Sequence, residues 1–180
     1  MRRPLWIGLV ALIPACVPSD VPDPGREAEA PNTRVLAIAE DGSRSEAREA
    51  LTPEVLAGQY YEGDGLGHNL NLELRTDGSF ESSLHGCLGM LGTTAGRWAL
   101  GPDGVTVTIT RADGKFQSEP LGGMRVVTLR GHYLLVQESF LDLFEKLGPE
   151  RRTCLHQEAA KPALQAEMTR HIEDAVRRRE

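Results

Sequence analysis

Between Asn69 and Arg75 the chain reads NLNLELR, with leucines at 70, 72 and 74 alternating with Asn71, Glu73 and Arg75. A period of two places the three leucines on one face of an extended strand and the polar residues on the other. A helix cannot do this, because residues two apart on a helix do not share a face. The pattern recurs along the chain. Thr76-Asp77-Gly78 turns into SFESSLH, where Phe80 and Leu84 share a face. GRWAL (96–100) and VTVTIT (105–110) flank GPDG, and MRVVTLR (124–130) and YLLVQ (133–137) flank Gly131-His132. With Gln59–Tyr61 and a weak strand near Lys115–Ser118, this predicts about eight short strands separated by Gly and Asp-Gly turns. The expected fold is mainly β, a small antiparallel barrel or sandwich.

Helices are expected at both ends of this pattern. Thr52 as N-cap and Pro53 at the first helical position start a turn before the first barrel strand. The composition of Ser43–Leu51 suits a short helix. Ser139 is placed to cap FLDLFEKL, which Gly148-Pro149 stops. From Pro162, Leu164, Met168, Ile172 and Val176 form an i, i+4 stripe, read as a face packed on the barrel, with partner binding as the alternative.

The N-terminus reads as an address. Arg2 and Arg3 precede the apolar run Leu5–Ile13, which is too short for a permanent membrane span. The run ends in IPAC, with Ala15 before Cys16. The segment resembles the signal peptide of bacterial lipoproteins, and the resemblance implies cleavage after residue 15 and lipid on Cys16. Val17, rather than Asp, at the next position implies outer-membrane sorting; a periplasmic or secreted protein is the alternative. Residues 16–50, rich in Pro and acids at their start, read as a tether. The expected division is thus 1–15 signal peptide, 16–50 tether, 51–157 barrel and 158–180 C-terminal helix.

Charge narrows the partners. The chain carries 26 acids against 20 Lys and Arg, a net charge of −6, and removal of residues 1–15 takes away two further arginines. An acidic chain without a basic stripe argues against nucleic-acid binding. The expected partners are the membrane, through the lipid, and a small apolar ligand or an envelope protein.

Setting Cys16 aside leaves Cys87, in LHGCLGMLG, and Cys154, in CLH. In an oxidising compartment two cysteines tend to pair, and a bridge across so long a loop would contribute about 4 kcal/mol. His85, Cys87, Cys154 and His156 together form an alternative metal set, without the spacing of well-specified zinc sites. A reactive thiol at Cys87 with a histidine base is a third reading.

At LAGQYY, then LNLELRTDGSF, then GRWALGPDGVTVTIT, the order resembles small lipocalin-like barrels of bacterial envelopes. It is similar in layout to the N-terminal barrel of the NlpE copper-resistance lipoproteins over roughly residues 55–137. The CxxC associated with that group is absent, so copper and redox roles do not carry over. GDGLGHNLNLEL…DGSF…HGCLG…GRW also resembles a group of uncharacterised bacterial envelope proteins.

EGDGLGHN (62–69) lacks the Gly-Lys-Ser/Thr of a phosphate loop and reads as a glycine-rich connection. Asp64 and His68 at a barrel mouth are candidates for ligand contact, as are Tyr60 and Trp98 in the interior. The Asp-Gly pairs at 41, 64, 77, 103 and 113 miss the calcium-loop register and read as turns. GCLGMLG reads as a tight corner, or as a lid. No hydrolase signature or cofactor motif is present. The expected function is non-catalytic: a lipid-anchored binding module whose cavity is lined by Leu70, Leu72, Leu74, Trp98 and Val107. The rivals are a structural or sensor lipoprotein with a filled barrel, and a metal-binding protein.

Overall fold

The computed structural model describes residues 32–63, 65, 67–118, 120–150 and 152–178. The signal segment, Cys16 and Asp64 lie outside the described residues. The described chain opens on a hairpin, β1 (Asn32–Ile38) and β2 (Arg44–Ala50), where a tether and a short helix were expected. Thr33, Val35 and Ile38 of β1 are buried, while β2 is largely exposed. The turn explains the difference. Gly42 takes φ 80° and the Asp41 carboxylate accepts from the Ser43 N–H at 2.8 Å. The ladder this starts runs from Ile38↔Arg44 to Asn32↔Ala50, and tertiary pairing overrides a weak helix preference.

Pro53–Leu56 forms the short helix α1, with Thr52 at its N-cap and Leu56 buried. The barrel strands follow: β3 (Gly58–Glu62), β4 (Asn69–Leu74), β5 (Ser79–Gly86), β6 (Gly89–Gly101), β7 (Gly104–Ala112), β8 (Met124–Leu129), β9 (His132–Gln137) and β10 (Leu155–His156). Each pairs antiparallel with its neighbour, in the closed order β3-β4-β5-β6-β7-β8-β9-β10 and back to β3. The barrel has eight strands, as expected, but not the same eight. Lys115–Ser118 belongs mostly to a 3₁₀ turn, Gly114–Gln117, and the two residues of β10 complete the barrel.

The wall has one weak seam. β7 and β8 meet only at Val105↔Met124. Past Met124 the edge of β8 is taken by β1, parallel, from Val35↔Val126 to Ile38↔Leu129. The β1 backbone is also tied to the β6–β7 turn, where the Arg34 N–H donates to the Pro102 carbonyl at 2.8 Å.

Alternation decides what fills the barrel. Tyr60, Leu70, Leu72, Leu74, Phe80 and Trp98 point inward and are buried with Val105, Met124, Val126, Leu135 and Leu155. Each such aliphatic or aromatic side chain contributes about 1.5–3 kcal/mol of burial. β8 and β9 are buried on both faces, which is why VV and LL stand side by side in them. Their outer residues Val127, Leu129, Leu134 and Val136 form a second core with Phe144, Cys154, Ala163 and Leu164.

Phe144 belongs to α2 (Leu141–Leu147), which Gly148 stops in a positive-φ conformation. Ser139 lies inside a preceding 3₁₀ turn, Glu138–Phe140, and does not cap the helix. The helix α3 (Lys161–Arg177) packs through Ala163, Leu164 and Glu167. Glu167 is held by Arg170, with the His171 ring nitrogen 3.4 Å from its carboxylate. The expected stripe stops there: Ile172 and Val176 are exposed.

GCLGMLG forms the β5–β6 turn, with Gly86 opposite Gly89 and a bulge just before, between Leu84 and His85. Leu88 at its tip is fully exposed.

Candidate functional site at the barrel mouth

The inward parity of Tyr60 carries on to Glu62, the last residue of β3. Glu62 faces Leu70 across β4, and Leu70 faces Leu84 across β5. Gln137 reaches the same level at the end of β9, opposite Met124. Most of β7 beyond Val105 has no β8 partner. The β7–β8 connection packs against β6 and buries Phe116 and Leu121 in the interior core. Its start is pinned by Asp113, whose carboxylate accepts from the Thr93 N–H at 2.8 Å.

These elements border a partly open cavity of about 460 Å³. Leu70, Leu84, Phe116, Leu121 and Phe140 supply its apolar wall. Glu62 and Gln137 are the polar groups on the strands, with His68, Lys115 and Ser139 contributed by the connecting segments. The size lies within the ~300–1,000 Å³ typical of small-molecule sites.

Glu62 gives the cavity its chemistry. Burial pushes its carboxyl up to about 7, against a smaller opposing effect of the hydrogen bond from Gln137. That bond, from Gln137 Nε2 to Glu62 Oε2, is 3.3 Å long. Among the described residues no cation forms an ion pair with Glu62. The carboxyl therefore changes charge near neutral pH inside a largely apolar wall.

The residues expected to contact a ligand divide. His68 lines the cavity. Tyr60 and Trp98 do not: both are buried in the interior core, where the Tyr60 hydroxyl donates to the Leu56 carbonyl at 2.8 Å and the Trp98 indole to the Arg75 carbonyl at 2.8 Å. Burial also pushes the Tyr60 hydroxyl up, so it stays protonated. Of the expected lining, only Leu70 takes part. Leu72, Leu74 and Trp98 fill the deeper barrel with Phe80, and Val107 packs against that core, partly buried.

The cysteines are not joined as expected. Cys154 is a free thiol with no exposed surface, in the outer core, donating to the Glu150 carbonyl at 3.3 Å. Cys87 is exposed at the β5–β6 turn. A bridge needs the two Cα atoms within about 7 Å, which would bring an exposed turn into a sealed core. Burial, with some repulsion from Glu62, pushes the Cys154 thiol up and keeps it unreactive. The alternative metal set is likewise not assembled. His85 bonds Ser83 at 3.0 Å, and His156 is buried edge-on to Tyr61 with ring centroids 5.9 Å apart. Among the described residues, no group of three or more His, Cys, Asp or Glu is arranged to hold a metal ion.

A second, more open hollow of about 760 Å³ lies against the outer face of β3–β6. Its wall is mixed, with Gln59, Asn71, Glu81 and Arg111 beside Tyr60, Tyr61 and Leu72. At one rim Lys161 pairs with Glu158 at 2.6 Å and stands over the Tyr61 ring at 6.0 Å.

Sequence reasoning missed Glu62 and Gln137. The signal was parity: Glu62 follows Tyr60 by two, but its place beside GDG marked it as loop. Comparison with protein-family models, curated proteins and solved structures finds no match to this chain.

Proposed function

We propose that this protein is a lipid-anchored, non-catalytic binding module of the bacterial envelope, holding a small ligand with an apolar body in the mouth of its barrel. The observation that carries the reading is the 460 Å³ cavity at the barrel mouth, walled mainly by apolar side chains. Burying an apolar ligand there removes surface from water at about 25 cal/mol per Å². Anchoring through Cys16 rests on the resemblance of the N-terminus to lipoprotein signals.

A second reading has its own observation. The barrel is filled around Trp98 and Phe80, which favours a structural or sensor lipoprotein whose mouth stays empty. Titration with the neutral fluorescent probe N-phenyl-1-naphthylamine separates the two. Binding predicts a saturable signal with one site per chain, weakened at least tenfold in a Leu84→Trp variant that melts like the wild type. A flat titration of the wild type supports the filled barrel.

A further inference from the structure

Resting on the reading of the mouth as a ligand site, we propose that its ligand is an amphiphilic cation, an apolar body carrying one ammonium group that pairs with Glu62. The geometry sets the requirement. Glu62 points into the barrel from β3, level with Leu70 and Leu84, and its described side-chain partner is the Gln137 amide at 3.3 Å. A carboxylate among apolar side chains without a counter-ion is costly, and a ligand cation at that point removes the cost. An ammonium brings three donors to a group that, ionised, only accepts.

The opposite polarity, an acidic ligand received by a protonated Glu62, fits less well. The Gln137 donor favours the ionised form. The chain's net charge of −6 also repels carboxylate ligands and draws cations. The charged or titratable groups facing Glu62 are His68 from the β3–β4 connection and Lys115 from the 3₁₀ turn at the mouth. Cys154 adjoins it from the segment before β10. Lys115 lines the same cavity.

The test is calorimetry with octylamine, 1-octanol and octanoate on the wild type, Glu62→Gln and Glu62→Asp at pH 6 and 8. Octylamine stays protonated throughout, so its affinity follows the ionised fraction of Glu62 and rises about tenfold from pH 6 to pH 8. It binds at least tenfold tighter than octanol at pH 8. Glu62→Gln abolishes that preference and keeps octanol binding, and Glu62→Asp retains part of it. The same rise in a His68→Asn variant assigns it to Glu62. Octanol or octanoate binding as tightly as octylamine at pH 8 overturns the amine assignment while leaving the cavity a ligand site. Failure of all three probes to bind the wild type overturns the ligand-site reading and the assignment with it.

Discussion

Replacing Glu62 by Gln keeps the shape of the side chain and removes its charge, and the effect on stability has a calculable sign. Burial raises the folded carboxyl from its ordinary value near 4.5 to about 7. Between these values the folded chain holds a proton that the unfolded chain has lost. Wild-type stability therefore falls as pH rises through this window and levels off above it. The whole span corresponds to a ceiling of about 3 kcal/mol, from roughly 1.4 kcal/mol per pH unit. The glutamine lacks this loss, so its advantage over the wild type is small at pH 5 and grows to as much as ~3 kcal/mol at pH 8. Changes in the hydrogen bond to Gln137 adjust that by about 1 kcal/mol, equally at every pH where Glu62 is neutral. Urea unfolding of both proteins at pH 5, 6, 7 and 8, followed by circular dichroism, reads the difference directly. A gap that does not widen between pH 5 and pH 8 refutes the argument that Glu62 is desolvated in the folded barrel.

Three further outcomes follow from the packing. In the folded protein a thiol-alkylating reagent modifies Cys87 and spares Cys154, and in denaturant without reductant it modifies both; a peptide linking the two by mass spectrometry contradicts this. Gly96→Ala drives a methyl group into the Thr108 carbonyl and the Phe80 ring and costs about 3 kcal/mol or more in urea unfolding. Gly122→Ala, with open space around it, stays within about 0.5 kcal/mol. On α3, Leu164→Ala costs about 3 kcal/mol while Ile172→Ala changes stability by less than about 0.5 kcal/mol; equal costs would mean that the exposed half of the helix is packed.

The barrel strands were legible because alternation is a local signal that burial reinforces. Leu70, Leu72 and Leu74 announce both a strand and its inner face, and Asp77-Gly78 announces the turn after it. Where the structure departs from the sequence reading, non-local pairing decides. Arg44–Ala50 has a helical composition, yet it is a strand because β1 offers it a ladder. Leu155–His156 is too short to carry any period, and it becomes a strand because β3 and β9 leave a gap of that width. The site was half legible. His68 was found from its place beside the glycines, but Glu62 required knowing that β3 runs to its last residue. Phe116, Leu121 and Phe140 reach the cavity through turns whose direction no periodicity records. The cysteine pairing failed for a related reason: compartment and count say that two thiols tend to meet, and only the fold says that one of them is sealed under α3.

The two-residue strand β10 also governs the order of events during synthesis. It follows every other strand in the chain, yet it is the piece that joins β3 to β9. A nascent chain that has not reached Leu155 carries nearly all of the sheet with its last gap open, presenting two unpaired strand edges and the inward leucines between them. Such edges invite pairing with other chains. Products halted or clipped just before residue 155 are therefore expected to be sticky, because they lack both the strand that closes the barrel and the helix α3 that covers its outer core.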